Sequence, residues 1–271
     1  MTRATLSDVL DPRSGRAVAG LVVLGWEEAR AFVEAAEAAG RPVILQCGPG
    51  ARAYTPLPVM AAMLNTLAEA AGVPVVTHLD HGENAEVCAR AIDLGFSSVM
   101  YDGSALPLAA NIRETERVVT LARAAGVSVE AELGMVGYAA SKASTPTDPA
   151  EAAALAATGI DALAISVGNV HLMQSHDAVI DWPALRAIEA AVPVLPLVLH
   201  GGSGISAADR RLLARTSQVA KFNIGTELRQ CFGAALRAAV LKEPQRFDRI
   251  AILSETIPPL RAAARALIEA L

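Results

Sequence analysis

Residues 74–82 read P-V-V-T-H-L-D-H-G and bring His78, Asp80 and His81 together, three groups able to ligate a metal or move a proton. Val75 and Val76 are β-branched and apolar, and Pro74 and the Gly82–Asn84 turn signal bound them. The run is therefore expected to be a short buried strand carrying the three groups at its tip. Alternation along a strand puts His78 and Asp80 on one face and sends His81 to the other face or out with the turn. Burying such groups costs free energy unless they are paired or hold metal. One reading is a satisfied core histidine, His78, with Asp80 and His81 capping the next helix; the other is a chemical site.

The rest of the chain must position them. Short apolar runs at 17–24, 42–47, 74–82, 98–101, 127–132, 162–167, 195–199 and 218–223 predict strands. Ala-rich segments at 27–39, 57–71, 86–94, 106–125, 148–157, 182–191, 207–214 and 225–241 predict helices, with a further one near the C-terminus. Strand and helix in eightfold alternation predict a parallel sheet covered by helices, closing as a (β/α)8 TIM barrel. Barrels of about 250 residues are routinely one domain, so residues 1–271 are read as a single barrel with a C-terminal helical extension. Residues 134–147, with Gly134, Gly137, Ser141, Lys142, Ser144, Thr145 and Pro146 and no apolar period, read as a long mobile loop, and such loops are usually functional or disordered.

In that fold the chemistry sits at the C-terminal ends of the strands, and the polar residues obey the rule. The third strand ends in His78, Asp80 and His81, the fourth runs into Asp102, Gly103 and Ser104, and the fifth ends in Glu130 and Glu132. The sixth leads to Gly168, Asn169 and His171, the seventh to His200, Gly201, Gly202 and Ser203, and the eighth to Asn223 and Thr226. His81, His171 and His200 follow different strands, so neutral imidazoles can converge on one Zn²⁺ and leave a fourth position for substrate. Glu132 is either an alternate or outer ligand or part of a barrel-mouth ion pair. The glycine-rich turn at 200–204 and the turn at 223–226 lie where barrels bind phosphate, on backbone N–H groups after the seventh and eighth strands.

Composition narrows the classes. The net charge of −5 gives no basic footprint, which argues against nucleic acid as the main partner. The three cysteines Cys47, Cys88 and Cys231 are far apart and form neither a disulfide framework nor a thiolate zinc motif. The opening ten residues lack a signal-peptide pattern, and the apolar run at 17–26 is too short to span a bilayer. A soluble, cytoplasmic protein without a membrane partner is expected.

These residues resemble a known family, the class II, zinc-dependent ketose-bisphosphate aldolases, nearest the tagatose- and fructose-bisphosphate branch. The matching blocks are P-V-I-L-Q at 42–46, H-L-D-H-G at 78–82, D-G-S at 102–104 and V-E-A-E-L-G at 129–134. They continue with V-G-N-V-H at 167–171, L-V-L-H-G-G-S at 197–203 and K-F-N-I-G-T-E-L at 221–228. The resemblance implies that Asp80 is the catalytic acid/base and that His81, His171 and His200 hold the catalytic zinc. It also implies that Gly201, Ser203, Asn223 and Thr226 contact the phosphate of a dihydroxyacetone-phosphate unit, with a monovalent cation assisting. In cleavage Asp80 would take the proton of the C4 hydroxyl as the C3–C4 bond breaks. No lysine at a strand end suggests a Schiff base instead, Lys221 being the nearest. A homo-oligomer, dimer or tetramer, is implied too; the apolar segment 257–271 could pack against a neighbour or cap its own barrel.

The chain departs from the family where substrate would be touched. The first strand reads G-L-V-V-L-G at 20–25, where the family carries asparagine, the second ends in Gln46-Cys47-Gly48 without the usual serine, and His171 is followed by Leu172 and Met173 rather than glycine. The family's loop acid has no counterpart, since 137–147 holds neither Asp nor Glu; Tyr138 or a water could substitute. Arg113, Arg210, Arg211 and Arg229 are candidates for a distal phosphate. The expected function is a zinc aldolase with an altered sugar phosphate substrate. The alternatives are a zinc lyase or aldolase of an unphosphorylated or acid substrate, and a non-catalytic aldolase-like subunit.

Overall fold

The computed structural model describes residues 2–137 and 144–271. Eight parallel strands, each paired with the next, close on themselves: β1 (Val18–Val22), β2 (Val43–Cys47), β3 (Val75–Gly82), β4 (Ser98–Tyr101), β5 (Ser128–Leu133), β6 (Ala162–Ile165), β7 (Leu197–Leu199) and β8 (Val219–Ile224), with β8 returning to β1. The helices that follow them are α1 (Trp26–Ala39), α2 (Leu57–Ala70), α3 (Ala85–Asp93), α4 (Leu108–Ala124), α5 (Pro149–Ala156), α6 (Trp182–Ala191), α7 (Ala207–Thr216) and α8 (Thr226–Lys242). This is the (β/α)8 barrel expected from the alternation.

The pleat sorts side chains into two cores. Outward-facing Leu45, Val75, Leu79, Ala131, Leu163, Phe222 and Ile224 are buried against the helices. Inward-facing Val18, Ile44, Val76, Met100, Ala162, Ala164, Val198 and Ala220 fill the lower half of the barrel. Ala4, Leu6 and Leu10 of the N-terminal segment close that end, where Arg3–Ala4 pairs with Val75 and Val76 and the Leu6 N–H donates to Ser128 Oγ at 2.8 Å. Ten residues with one short apolar cluster carry no period of their own, so this plug has no signature in the sequence.

Caps agree with local chemistry. Asn84 Oδ1 accepts from the Val87 N–H at 2.8 Å and starts α3, so Asn84, not Asp80 or His81, caps the helix after β3. Three short elements escaped the periodicity: a helix at Pro49–Tyr54 between β2 and α2, a 3₁₀ turn at Gly202–Gly204, and a helix at Arg249–Ser254. The last helix, Ile257–Ala270, buries Ile257, Leu260, Ala264, Leu267 and Ile268 and pairs Arg261 with Glu34 of α1 at 3.0 Å, so it caps its own barrel.

The three thiols are free, with Cys47 and Cys88 buried and Cys231 half-buried. Burial pushes the Cys47 and Cys88 thiols up to about 12, leaving almost no reactive thiolate at neutral pH. A thiol reagent at pH 8 should therefore label Cys231 alone until the protein is unfolded; native labelling of all three would contradict the burial.

Candidate active site

The tip of β3 is where the local sequence bends to the task. Leu79 pairs with Val99, but the register then shifts and Gly82 pairs with Tyr101, so Asp80 and His81 fall in a bulge. His81 takes a left-handed conformation with φ 49°. The bulge turns its imidazole back over the barrel mouth, resolving the open question of where His81 goes. His78 stays inside the barrel: its Nδ1 lies 2.8 Å from Ser98 Oγ and its Nε2 3.5 Å from Lys221 Nζ. Burial, then the charge of Lys221, holds it well below the usual imidazole range, so His78 is a neutral core histidine.

His81, His171 and His200 each offer a nitrogen within 4.8 Å of the other two. His81 Nε2 and His200 Nδ1 are 3.1 Å apart. Each of these two rings has its other nitrogen committed. His81 Nδ1 donates to Asp102 Oδ2 at 2.7 Å, and His200 Nε2 donates to Glu130 Oε1 at 3.0 Å, which turns the remaining ring nitrogens toward each other. Glu130 is anchored by Lys221 Nζ at 2.6 Å, a pair with no solvent exposure. Asp102 also accepts from the Ser104 hydroxyl and N–H.

The electrostatics fit a cation among these rings. Burial pushes His171 down to about 4 and His200 well below its ordinary value, so both are neutral near pH 7. Burial also opposes charge on His81, but Asp80, Asp102 and Glu132 outweigh it and raise His81 to about 10. Glu132 Oε2 lies 3.7 Å from both His81 Nδ1 and His200 Nδ1 and has no hydrogen-bond partner among the described residues. Burial lifts its carboxyl to about 8. Three imidazoles and a spare buried carboxylate oxygen, crowded by negative charge, are a donor set suited to a borderline-soft divalent ion such as zinc. The 3.1 Å nitrogen separation is close to the edge of a zinc tetrahedron, ~3.4 Å for Zn–N bonds of about 2.1 Å.

A cavity of about 350 Å³ opens beside the imidazoles, lined by Asp80, His81, His171, Gly201, Ser203, Asn223, Thr226 and Arg229 among others. Asp80 is the carboxylate among its described lining residues, and its Oδ1 accepts from Asn223 Nδ2 at 3.3 Å. At one end Ser203 Oγ accepts from the Gly225 and Glu227 N–H groups at 3.3 and 3.4 Å, so its own proton remains available to a ligand at the start of α8. Gly201 is required here: its φ is 65°, and a Cβ would lie 2.2 Å from the Val170 carbonyl oxygen. Arg210 braces the same turn through the Gly202 carbonyl and Glu227, while Arg113 and Arg211 are exposed on helices away from the cavity. Of the four arginines considered for a distal phosphate, the cavity is lined by Arg229.

The departures noted in the sequence gather on this wall. Val22 and Leu24 line the cavity, and so does Leu172, which takes φ 59° at the position where the resemblance expects glycine. Residues 138–143 of the loop, with Tyr138, Ser141 and Lys142, lie outside the described residues. The loop's base is held by a Met135–Thr145 bridge and by the His171 N–H donating to the Gly137 carbonyl at 2.8 Å. Asp102 and Glu130 stand in the sequence as strand-end acids; what marks them is a histidine from another strand, His81 from the neighbouring β3 for Asp102 and His200 from β7 for Glu130, a signal sequence spacing cannot carry.

Comparison with known proteins gives the family of the chain. The sequence profile of the family "Fructose-bisphosphate aldolase class-II" matches residues 8–271. A fructose-bisphosphate aldolase of Streptococcus pyogenes is 38% identical over 236 residues, covering 83% of this chain and 78% of the relative. A probable fructose-bisphosphate aldolase of Bacillus subtilis is 38% identical over 242 residues, covering 86% and 84%. The crystal structure of the YdjI aldolase from Escherichia coli superposes with a TM-score of 0.81 at 33% identity, covering 94% of this chain and 91% of that one. The chain that carries this barrel and this histidine cluster belongs to the class II fructose-bisphosphate aldolase family, a family of carbon–carbon lyases.

Proposed function

We propose that this chain is a zinc-dependent aldolase that reversibly cleaves a ketose phosphate or bisphosphate into dihydroxyacetone phosphate and an aldehyde. The observation that carries the reading is the 3.1 Å approach of His81 Nε2 to His200 Nδ1, with His171 beside them and Asp80 in the same cavity. His81, His171 and His200 would hold the zinc, and Glu132 would serve as alternate or outer ligand. Zinc held there would supply Lewis-acid chemistry, stabilising the negative charge that develops on the ketose as the C3–C4 bond breaks. Asp80 removes the proton of the C4 hydroxyl in cleavage and returns it in condensation. Asn223 holds the Asp80 carboxylate toward the cavity.

Gly201, Ser203, Asn223 and Thr226 would receive the phosphate of the three-carbon unit, through backbone N–H groups, the Ser203 hydroxyl and the start of α8, with a monovalent cation assisting. Lys221, buried against Glu130, is unsuited to a Schiff base. The apolar wall of Val22, Leu24 and Leu172 favours an aldehyde half less polar than that of fructose bisphosphate. The same wall is the specific support for the second reading, an unphosphorylated or acid substrate. A non-catalytic subunit is disfavoured by the retained cluster.

We read the protein as one barrel domain with its C-terminal helical extension, assembling as a dimer or tetramer, with exposed Leu241, Phe247 and Ile250 the surface such a contact would use. No helix among the described residues is long and apolar enough to cross a membrane, and the free thiols fit a reducing, cytoplasmic home.

Purified protein incubated with a panel of ketose phosphates should release dihydroxyacetone phosphate, lose that activity on dialysis against a chelator, and regain it with zinc. Inorganic phosphate should raise the unfolding midpoint, because ligand bound to the native state stabilises it. Cleavage untouched by complete zinc removal would overturn the mechanism, and phosphate without effect on stability would favour the second reading.

A further inference from the structure

Arg52 lies on the short Pro49–Tyr54 helix with its side chain about one-tenth exposed, and it does not line the cavity. Its Nη1 donates to the Asp80 carbonyl at 2.8 Å and its Nη2 to the His81 carbonyl at 2.6 Å. Nη1 also approaches the Cys47 carbonyl at 3.5 Å, and Glu83 neutralises the guanidinium from outside at 2.7 Å. The two carbonyls it grips belong to the two residues that the register shift leaves without ladder partners on either neighbouring strand. One of them, His81, sits at φ 49°, a conformation L side chains rarely adopt unless their surroundings impose it.

We propose that Arg52 is the positioning residue of the β3 tip. Its planar fork fixes the peptide planes after Asp80 and after His81, and so sets the direction of the Asp80 carboxylate and the His81 imidazole. Arginine suits the task because its rigid donor fork spans two acceptors; a lysine ammonium is a single point charge on a flexible stem. The same short helix contributes Pro49, Gly50 and Ala51 to the cavity wall, so the clamp also keeps that wall in register with the catalytic strand. The inference rests on the reading of Asp80 as acid/base and His81 as zinc ligand.

The test compares wild type, Arg52→Ala and Arg52→Lys by kcat, KM, zinc dissociation constant from chelator competition, the visible spectrum of the Co²⁺-substituted protein, and thermal unfolding. Arg52→Ala should lower kcat by about 10–100-fold, the cost of losing a support behind the reacting groups, and weaken zinc by about tenfold. KM should move much less than kcat, because no substrate contact is removed. The Co²⁺ spectrum should change as His81 reorients, and millimolar guanidinium should restore part of kcat in Arg52→Ala but not raise that of wild type. Arg52→Lys should keep the fold and still lose most of the rate.

Wild-type kcat and zinc affinity in Arg52→Ala would overturn the proposal. So would a loss that follows only the fraction unfolded, with an unchanged Co²⁺ spectrum and no response to guanidinium. If Arg52→Ala does not fold, Arg52→Lys decides: a fall in kcat at unchanged stability supports the clamp, and full activity refutes it. Failure of the functional reading looks different, as a wild-type protein that binds zinc yet cleaves no ketose phosphate; the zinc and Co²⁺ measurements would then still score Arg52.

Discussion

Asp80→Ala is expected to lower kcat for ketose phosphate cleavage by about 10²–10⁴-fold while zinc stays bound, the range for removing a positioned general acid/base. The expectation follows from the lining of the cavity, where Asp80 is the carboxylate among the described residues and stands next to His81 in sequence and in space. Asn223 holds one of its oxygens, so the carboxylate is aimed before substrate arrives. Zinc content should remain near one per chain, because Asp80 is not among the grouped donors. Steady-state kinetics with metal analysis of the same sample checks both halves. A variant that keeps a tenth or more of the wild-type rate would remove Asp80 from the chemistry, and one that loses its zinc would make it a ligand instead.

Lys221→Met should cost about 3–5 kcal/mol, because it strands the Glu130 carboxylate in the barrel without its cation. Both side chains have zero exposure, and Glu130 also accepts from His200 and lies 3.6 Å from His78. A carboxylate left there either takes up a proton or admits water. Protonation would loosen the bond that fixes the His200 tautomer, so zinc affinity should fall with stability. Adding Glu130→Gln to Lys221→Met should restore a large part of the stability, since an amide oxygen can still accept from His200 and no charge is then unpaired. Denaturant melts of the single and double variants measure the coupling. A single variant within about 0.5 kcal/mol of wild type would show that the pair is not buried as described.

Much of this molecule is legible along the chain. Eight runs such as V-I-L-Q and V-V-T-H, each followed by an Ala-rich helical segment, can bury their apolar faces together only as a closed parallel sheet under helices, and the barrel that results has the element order expected. His81, His171, His200 and Asp80 were legible for the same reason, since parallel strands all deliver their C-terminal ends to one mouth. Gly201 was legible as a turn glycine, although its need for φ 65° beneath Val170 was not. Boundaries drifted by a residue or two, as at β1 and β7, because frayed strand ends carry no sharp signal.

The partnerships behind the site were not legible. Asp102 on His81, Glu130 on His200, Lys221 on Glu130 and Arg52 on the carbonyls of Asp80 and His81 join residues from 21 to 91 positions apart. Local periodicity reports which face a side chain shares with its near neighbours. It carries nothing about what closure of the sheet brings opposite that face. The same holds for the bulge that turns His81 over the mouth, which a strict alternation of side chains would have sent away from it. The pattern of residue types thus settles the kind of fold and the side chains that meet at its mouth, because burial and strand direction are read from short windows. The protonation, tautomer and aim of those side chains arise from contacts made across the closed barrel, where low dielectric makes each distant charge count.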